Sequence, residues 1–258
     1  MRGGAQSHLM RASDGAFYVV KFQNNPQHVR VLANELLATR LAERVGLPVP
    51  QTGVIEVSDW LIESTAELRM QVAGQKLPCS SGLQFAAKFV VEPFQGQVFD
   101  YLPDSMLASV RNLKDFWGML CLDKWTCNSN GRQAVYWRKT REKKYTATFI
   151  DQGYCFNAGE WNFPDSPLRG VFARNDVYKE VAGWESFEPW MSRIEQMSPD
   201  AVWEVAGEIP PEWYGSDEGA LHKLIETLIK RRSRVAELIT DFRNSSRQPF
   251  PNWKERVQ

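Results

Sequence analysis

A strand followed at once by an amphipathic helix, near the start of the chain, limits the available folds more than any other feature. Residues 14–23 (DGAFYVVKFQ) place a β-branched and aromatic run directly after Asp-Gly, which predicts a hairpin turn and then a strand that carries Lys21. The next segment predicts a helix that carries Glu35. Its apolar residues recur at intervals of three and four and stop before Gly46 and Pro48; they are Val29, Leu32, Leu36, Leu37, Leu41 and Val45.

Two further stretches of the first hundred residues have the composition of strands, namely residues 51–63 and residues 84–92. The pair Glu92-Pro93, followed by Gln-Gly-Gln, then breaks the strand pattern before the chain turns helical. We therefore interpret residues 92–100 as a hinge between two lobes.

The second half of the chain is predicted to be mainly helical around a single hairpin. Helical apolar spacing begins at about residue 104, and the runs QAVYWR and TATFI then predict a β-hairpin between Gln133 and Ile150. The basic RRSR of residues 231–234 is interpreted as a solvated helix face rather than a nucleic-acid patch. It lies on one long predicted helix whose apolar face carries Leu221, Leu224, Leu228, Val235, Leu238 and Phe242.

Composition narrows the class of protein. The 258 residues are enough for one large domain or for two lobes around a cleft. Lysine plus arginine equals aspartate plus glutamate at 31 each, so no net positive field would attract nucleic acid or an anionic membrane. No apolar run approaches the roughly 20 residues that cross a bilayer, and the amino terminus lacks the apolar core of a signal peptide. The four cysteines lack CxxC spacing, which favours reduced thiols and a cytoplasmic location.

Two elements of the small predicted lobe carry residues suited to binding a nucleotide. The first is the run Gly3, Gly4, Ala5, Gln6 and Ser7, because glycines let backbone amides approach phosphate oxygens, although such a run is also typical of a flexible end. The second is Lys21 with Glu35, arranged as a phosphate-binding lysine and the carboxylate that orients it. Its alternative is a lysine at a sheet edge and a glutamate on a solvated helix face.

Two acidic residues extend this candidate site. Asp151 ends the strand TATFI and is followed by Gln-Gly, a placement suited to holding Mg²⁺ against nucleotide phosphates. The alternative is a turn that merely ends a strand. Glu92, at the first position of the hinge, is a further candidate for contact with the nucleotide.

Together these stretches resemble the HipA-like kinases, which are relatives of protein and phosphoinositide kinases. The resemblance spans most of residues 2–165, and the matching stretches are GGAQSHLM, FYVVKFQNNP, ANELLATRLAERVGLPVP, DKWTCNSNGRQAVYWR and FIDQGYCFNAGEW. Such proteins have a small ATP-binding lobe over a helical lobe, and active members phosphorylate serine or threonine on a protein with ATP and magnesium. The resemblance implies a phosphate loop at Gly3 to Ser7, a phosphate lysine at Lys21, its partner at Glu35, and a metal-binding aspartate at Asp151.

The catalytic loop departs from that family pattern. Active members carry an aspartate as catalytic base just before the strand that here reads QAVYWR, and a metal-binding asparagine five residues later. Aligned on this strand, the base position is Asn130 and the metal position is Val135. An asparagine cannot accept a proton from a substrate hydroxyl at neutral pH. A second alignment pairs Asp123 with Asn128, also five apart, but it places Asp123 at the end of a helix.

We favour the strand-based alignment and keep Asp123 and Asn130 as catalytic candidates, with Asn128 as a candidate metal ligand. The sequence thus predicts an α+β, two-lobed HipA-like kinase fold. Its ATP-binding lobe would span residues 1–92, and its helical lobe, with a catalytic hairpin at about 123–156, would span residues 93–258. The chain begins almost at the phosphate loop, so either its start is truncated or the lobe lacks its first strand.

The expected reaction is transfer of the γ-phosphoryl group of ATP, with Mg²⁺, to a serine or threonine hydroxyl of a protein substrate. The residues Asn130 and Val135 keep open the alternative of a pseudokinase, which would bind nucleotide and regulate a partner with little transfer activity. A weaker alternative is a small-molecule kinase, because the same lobe recurs in antibiotic and sugar phosphotransferases.

Overall fold

The computed structural model describes residues 4–254, so Gly3 of the predicted phosphate loop lies outside it. The described residues form nine strands and seven α-helices. The strands are β1 (His8–Arg11), β2 (Phe17–Lys21), β3 (Thr52–Val57), β4 (Arg69–Val72), β5 (Gln75–Pro78), β6 (Gly82–Lys88), β7 (Gly96–Phe99), β8 (Gln133–Lys139) and β9 (Thr146–Ile150). The helices are α1 (Val31–Arg44), α2 (Asp59–Ser64), α3 (Asp115–Trp125), α4 (Trp190–Gln196), α5 (Pro199–Ala206), α6 (Glu218–Arg231) and α7 (Val235–Arg243). Short 3₁₀ segments lie at Asp104–Ser109, Cys155–Glu160, Asn175–Tyr178, Trp184–Phe187, Pro211–Tyr214 and Arg232–Arg234.

The smaller lobe is built on an antiparallel sheet with the strand order β1-β2-β6-β3. Successive side chains of a strand point to opposite faces. In β2, Val20 packs into a small apolar core with Phe22 and Met70, whereas Val19 and Lys21 face a cleft. The register places Lys21 opposite Phe85 of β6. The predicted hairpin and the strand carrying Lys21 are therefore present.

Helix α1 follows β2, as the apolar spacing predicts, and packs towards the larger lobe. Its buried residues Leu32, Leu36 and Leu41 belong to the same continuous apolar core as Leu120 of α3 and Leu228 of α6. Burial of this face stabilises the helix by roughly 2 kcal/mol for each fully buried leucine. The main core therefore includes a helix from the first 92 residues, and the proposed division at residue 92 stays a prediction.

The larger lobe carries a second antiparallel sheet, ordered β7-β8-β9, beside most of the helices. The hairpin predicted between Gln133 and Ile150 is present as β8 and β9. Its first and last residues are paired, because Gln133 lies opposite Ile150. The two lobes and the α+β class agree with the predicted kinase-like fold.

Three predicted boundaries in the first hundred residues are wrong. The strand predicted over residues 84–92 is β6, which ends at Lys88. The strand predicted over residues 51–63 ends at Val57, because the Ser58 hydroxyl accepts a hydrogen bond from the Leu61 amide and so caps α2. The predicted hinge at residues 92–100 contains β7, whose residues Gly96–Phe99 pair with β8 in the larger lobe. The segment that joins the two sheets is residues 89–95.

The predicted C-terminal helix is interrupted. Residues Arg232–Arg234 form a 3₁₀ turn between α6 and α7, a change of winding that apolar spacing does not reveal. The interpretation of residues 231–234 as a solvated face is wrong for Arg231, which is 4% exposed and donates to the Trp125 carbonyl and to Asp165. Across residues 4–254, none of the helices combines the length and the apolar composition needed to cross a membrane.

Candidate active site

A cleft lies between the sheet of the smaller lobe and the β8–β9 hairpin. Alternate residues of β2 and β6 form its roof, since Val19 and Lys21 share one face with their cross-strand partners Ala87 and Phe85. The remaining lining residues are Ser7, Glu35, Thr39, Pro50, Lys88, Phe89, Val90, Val98, Gln133, Val135, Phe149, Ile150 and Asp151. Much of the wall is therefore apolar. Lys21, Glu35 and Asp151 lie together at one end, whereas Lys88 lies three residues along β6 from Phe85.

Lys21, Glu35 and Asp151 form a buried charged group at that end. The ammonium of Lys21 donates to Glu35 Oε1 and, at 2.8 Å, to Asp151 Oδ1. Burial alone lowers the pKa of Lys21, but attraction to the two carboxylates outweighs burial and raises it above its ordinary value. Burial raises the pKa of Glu35, which Lys21 offsets only in part. Burial raises the pKa of Asp151, but the positive charges of Lys21 and Arg132 outweigh burial and hold this pKa below its ordinary value.

The loop that precedes β1 approaches the same end of the cleft. Ser7 lines the cleft, whereas Ala5 is buried and Gly4 lies against the side chain of Gln27. Gln6 has a positive φ of 48°, and its side chain turns away to β4. It donates to the Gln71 carbonyl and accepts from the Gln71 amide, both at 2.7 Å. Gln6 thus fixes the loop against the sheet, and contact of this loop with phosphate stays a prediction.

The turn after Asp151 is held by α1. Asp151 has a left-handed φ of 65°, which directs the following residues under the helix. The amide of Gly153 donates to Glu35 Oε1 at 2.8 Å, and a Cβ at Gly153 would stand 2.5 Å from a methyl group of Val31. His28 Nε2 lies 3.0 Å from the Gly153 carbonyl. Only glycine therefore fits between the turn and α1.

Asn34, beside Glu35 on α1, completes this attachment. Its amide nitrogen donates to three backbone carbonyls of the turn, those of Gly153, Cys155 and Ala158, at 2.8 to 3.1 Å. Its oxygen accepts a hydrogen bond from the Trp161 indole. The helix that carries Glu35 therefore also positions the segment that carries Asp151.

Asp123 lies on α3 and is 1% exposed. Both of its oxygens accept hydrogen bonds from the Arg132 guanidinium, and Oδ1 also accepts from Asn128. Burial acts to lower the pKa of Arg132, but Asp123 more than offsets burial and raises it. Arg132 Nη1 also donates to the Ile150 carbonyl and to Gln152. Arg132 therefore ties α3 to the turn around Asp151.

The two asparagines of the loop occupy different positions. Asn128 is 1% exposed, and its oxygen accepts from the Asn130 amide at 3.1 Å. A Cβ at Gly170 would stand 3.2 Å from Asn128, so this asparagine lies beneath the later segment. Asn130 is exposed, and its oxygen accepts from the Gly131 amide. A metal role for Asn128 and a catalytic role for Asn130 or Asp123 stay predictions.

Gln133 lines the cleft, whereas Glu92 does not. Gln133 Nε2 donates to Asp151 Oδ2 at 2.7 Å, so both oxygens of this carboxylate have protein partners. Val135 lines the cleft two residues further along β8. Glu92 is exposed and lines an adjoining groove with Val49. This groove shares Pro50, Lys88, Phe89 and Val90 with the cleft. The main cleft is therefore walled by the segment before Glu92 rather than by Glu92 itself.

Three residues of the site were missed in the sequence analysis: Asn34, Arg132 and Gln133. Asn34 could have been identified from the sequence, because asparagine has a low helix propensity. An asparagine in the middle of an amphipathic helix often hydrogen-bonds to backbone groups. Arg132 and Gln133 stand beside the aligned catalytic positions, but their partners are 9 and 18 residues away. No local pattern identifies such partners.

The residues at the charged end suit a hard divalent cation. Mg²⁺ binds oxygen ligands and commonly uses one or two carboxylates with substrate phosphates. Asp151 supplies one carboxylate at the cleft wall, with its side chain 23% exposed, and Lys21 would face the same phosphates. These residues fit a nucleotide-bound magnesium ion.

Comparison with known proteins agrees with this geometry. The family model of the HipA-like kinases matches residues 1–241. The fold is similar to that of CtkA, a proinflammatory kinase of Helicobacter pylori, with a TM-score of 0.52 and 14% identity over 90% of this chain and 94% of CtkA. It is also similar to HipA of Shewanella oneidensis, solved with HipB and operator DNA, with a TM-score of 0.55 and 13% identity over 95% of this chain and 67% of HipA.

A third similar structure is the golgi casein kinase, with a TM-score of 0.53 and 11% identity over 95% of this chain and 72% of that kinase. At these identities the structural likeness establishes a shared fold and nothing more. No curated protein matches the sequence.

Proposed function

Because the chain belongs to the HipA-like kinase family, we propose that it binds ATP with magnesium in this cleft and transfers the γ-phosphoryl group to a serine or threonine hydroxyl of a protein. The observation that carries the proposal is the contact of Lys21 with both Glu35 and Asp151 at the charged end of an apolar cleft. A cation and a carboxylate side by side at the end of a cleft support the binding of nucleotide phosphates together with a metal ion.

Each of these residues has a separate task in the proposal. Lys21 binds the phosphates, and Glu35 keeps the ammonium pointed at them. The apolar wall, which includes Phe85 and Phe149, excludes water from the nucleotide base. Asp151 would hold the magnesium ion, which neutralises charge on the phosphates when bound. Gly153 and Asn34 keep the turn of Asp151 in register with α1.

The transfer step relies on positioning more than on a strong base. Phosphoryl transfer passes through a loose transition state, so the protein contributes mainly orientation and electrostatic stabilisation. Asn130 stands at the aligned base position, and Asp123 is buried against Arg132. We therefore expect slow transfer, because general-base catalysis ordinarily contributes about 10² to 10⁴ in rate.

The same observation favours a second candidate, a nucleotide-binding regulatory module. A protein with Lys21 and Asp151 in place but without an accessible base would bind nucleotide and signal its presence to a partner. The two candidates share the cleft and differ only in turnover.

The test uses the full chain with labelled ATP and Mg²⁺, alone and with cell extract, beside a thermal melt with and without Mg·ATP. The parent is expected to melt at a higher temperature with nucleotide, and Lys21→Ala and Asp151→Ala are expected to lose that shift. Lys76→Ala, on the exposed strand β5, is the matched control and should keep it. Label transfer supports the kinase, and a nucleotide shift without transfer supports the regulatory module. A parent without any shift would contradict both.

A further inference from the structure

The strand-based alignment leaves the second metal position at Val135, whose side chain offers no ligand atom. The other candidate for a metal-binding amide, Asn128, is buried and has both ends of its side chain bonded, to Asp123 and to Asn130. If the magnesium ion has a second protein ligand beside Asp151, that ligand therefore comes from elsewhere on the chain. Such a donor has to reach Asp151.

Gln133 meets that requirement through strand geometry. Residues two apart on a strand share a face, so Gln133 and Val135 both point into the cleft, and both line it. The pairing of Gln133 with Ile150 brings its side chain beside the next residue, Asp151. Its amide nitrogen lies 2.7 Å from Asp151 Oδ2, while Lys21 holds Oδ1.

The separation of these two atoms matches one edge of a magnesium coordination shell. Adjacent oxygens of an octahedron with bonds of 2.0–2.1 Å stand about 2.9 Å apart. The Gln133 amide and Asp151 Oδ2 are 2.7 Å apart without an ion. A half-turn of the terminal amide exchanges its nitrogen and oxygen, so Oε1 would take the place of the nitrogen beside the carboxylate.

We propose that Gln133 supplies, through Oε1, the second protein ligand of the nucleotide-bound magnesium ion, at the position that Val135 cannot serve. The inference rests on the proposed function, because the ion enters with the nucleotide. In the nucleotide-free protein the same side chain donates to Asp151 and keeps its carboxylate oriented. Gln133 thus changes from hydrogen-bond donor to metal ligand when the ion arrives.

The experiment measures metal binding directly. Mn²⁺ replaces Mg²⁺ as a paramagnetic probe, and its binding to the full chain is titrated by EPR with a non-hydrolysable ATP analogue present. Affinity for the analogue without metal is measured in parallel. Gln133→Leu is expected to weaken Mn²⁺ binding about tenfold or more and to leave metal-free nucleotide affinity within twofold. Gln97→Leu, the same substitution at an exposed position of the neighbouring strand β7, should change neither.

Gln133→Glu separates ligation from a purely structural hydrogen bond. A glutamate cannot donate to Asp151 and repels it, so a structural role predicts weaker Mn²⁺ binding, as with leucine. A ligand role predicts tighter binding, because a second carboxylate faces the ion. Weaker binding by Gln133→Glu, or unchanged binding by Gln133→Leu while Asp151→Asn loses the metal, overturns the inference alone. A parent that binds neither the analogue nor Mn²⁺ with it overturns the proposed function as well.

Discussion

Asp123 is the residue for which the structure changes the interpretation most. Its carboxylate is buried, and the Arg132 guanidinium, 2% exposed, contacts both of its oxygens. An accessible catalytic base would need a free oxygen towards the cleft. The geometry instead favours an anchor that fixes the catalytic loop to α3.

Replacing Arg132 with methionine tests that anchor. We expect Arg132→Met to lower the free energy of unfolding by about 3–5 kcal/mol, because it leaves the Asp123 charge buried without its partner. Urea denaturation measures the change. Arg138→Met, in strand β8, which begins one residue after Arg132, has an exposed partner in Gln97 and should cost less than about 1 kcal/mol. Equal losses in the two variants would mean that Asp123 can reach solvent and could still serve as a base.

His28 gives the site a predicted pH dependence. Burial lowers the pKa of His28, and the positive charges of Arg30 and Lys21 lower it further. The hydrogen bond with the Gly153 carbonyl raises this pKa but does not offset the other effects. The unfolded chain takes up a proton near pH 6.5, whereas the folded protein does so only at lower pH. Unfolding therefore binds a proton in this window, and stability falls as the pH drops below about 6.5.

The measurement compares urea midpoints at pH 7.5 and pH 5 for the parent and for His28→Gln, which can still donate to the Gly153 carbonyl. We expect the variant to lose less stability than the parent over this interval. His222→Gln, at an exposed position of α6 outside the cleft, is the matched control for the substitution itself. A His28→Gln profile parallel to that of the parent would show that His28 already titrates at its ordinary pKa.

Among the structural elements, the segment after the Asp151 turn is tied down by charged groups. Asp165 receives hydrogen bonds from Arg231 and Arg234 at 2.7 to 3.0 Å. The Lys124 ammonium donates to the Pro167 and Arg169 carbonyls at 2.7 and 2.8 Å. Arg231 also donates to carbonyls at the end of α3, where a cation is favoured by the helix dipole. The segment is therefore ordered by the chain's own residues.

Arg231→Lys is expected to loosen this segment without unfolding the protein. Lysine keeps the charge but cannot form the two parallel bonds to Asp165, a loss of about 1–2 kcal/mol that increases local opening about tenfold. Limited trypsin digestion after Arg169 is the measurement, and cleavage should accelerate in proportion. Arg44→Lys, which changes a surface pair with Glu204, should leave the rate unchanged. Unchanged cleavage in Arg231→Lys would show that Lys124 and Arg234 are enough to hold the segment.

The elements that sequence could predict are those fixed by local periodicity and turn residues. Helix α1 and the β8–β9 hairpin follow from spacing alone, whereas the pairing of Lys21 with Glu35 is what the resemblance to the HipA-like kinases implies. Strand β7 was missed because its stability comes from pairing with β8, some forty residues later. Likewise, the choice of Arg132 as partner for Asp123, and of Gln133 for Asp151, depends on how distant elements meet.

At the scale of the whole molecule, the apolar core is unevenly shared between the lobes. The larger cluster runs from Val31 of α1 through α3 to Phe250. A separate, smaller cluster lies under the sheet of the smaller lobe and includes Phe22, Ile62 and Met70. The helix that carries Glu35 is therefore stabilised by the larger lobe, whereas the strand that carries Lys21 lies between the two clusters.

This division predicts two levels of opening in the native protein. The free energy of local opening increases with the number of buried apolar contacts that a unit makes. Strand β5 makes few such contacts, because every one of its residues is exposed. In native-state hydrogen exchange, amides of the β4–β5 hairpin should exchange at a much lower opening free energy than those of α1. The amides of α1 should instead exchange at the same opening free energy as those of α3, which serve as the internal control for global unfolding.

If α1 exchanged together with β4 and β5, the smaller lobe would open as one body and separate Glu35 from Asp151 each time. The contacts of Asn34 and Glu35 with the turn at Gly153 argue against such opening, because all of them would break at once. Adding Mg·ATP extends the same measurement. Nucleotide that bridges Lys21 and Asp151 should slow exchange in β2 and leave exchange in the β4–β5 hairpin unchanged, since that hairpin does not line the cleft.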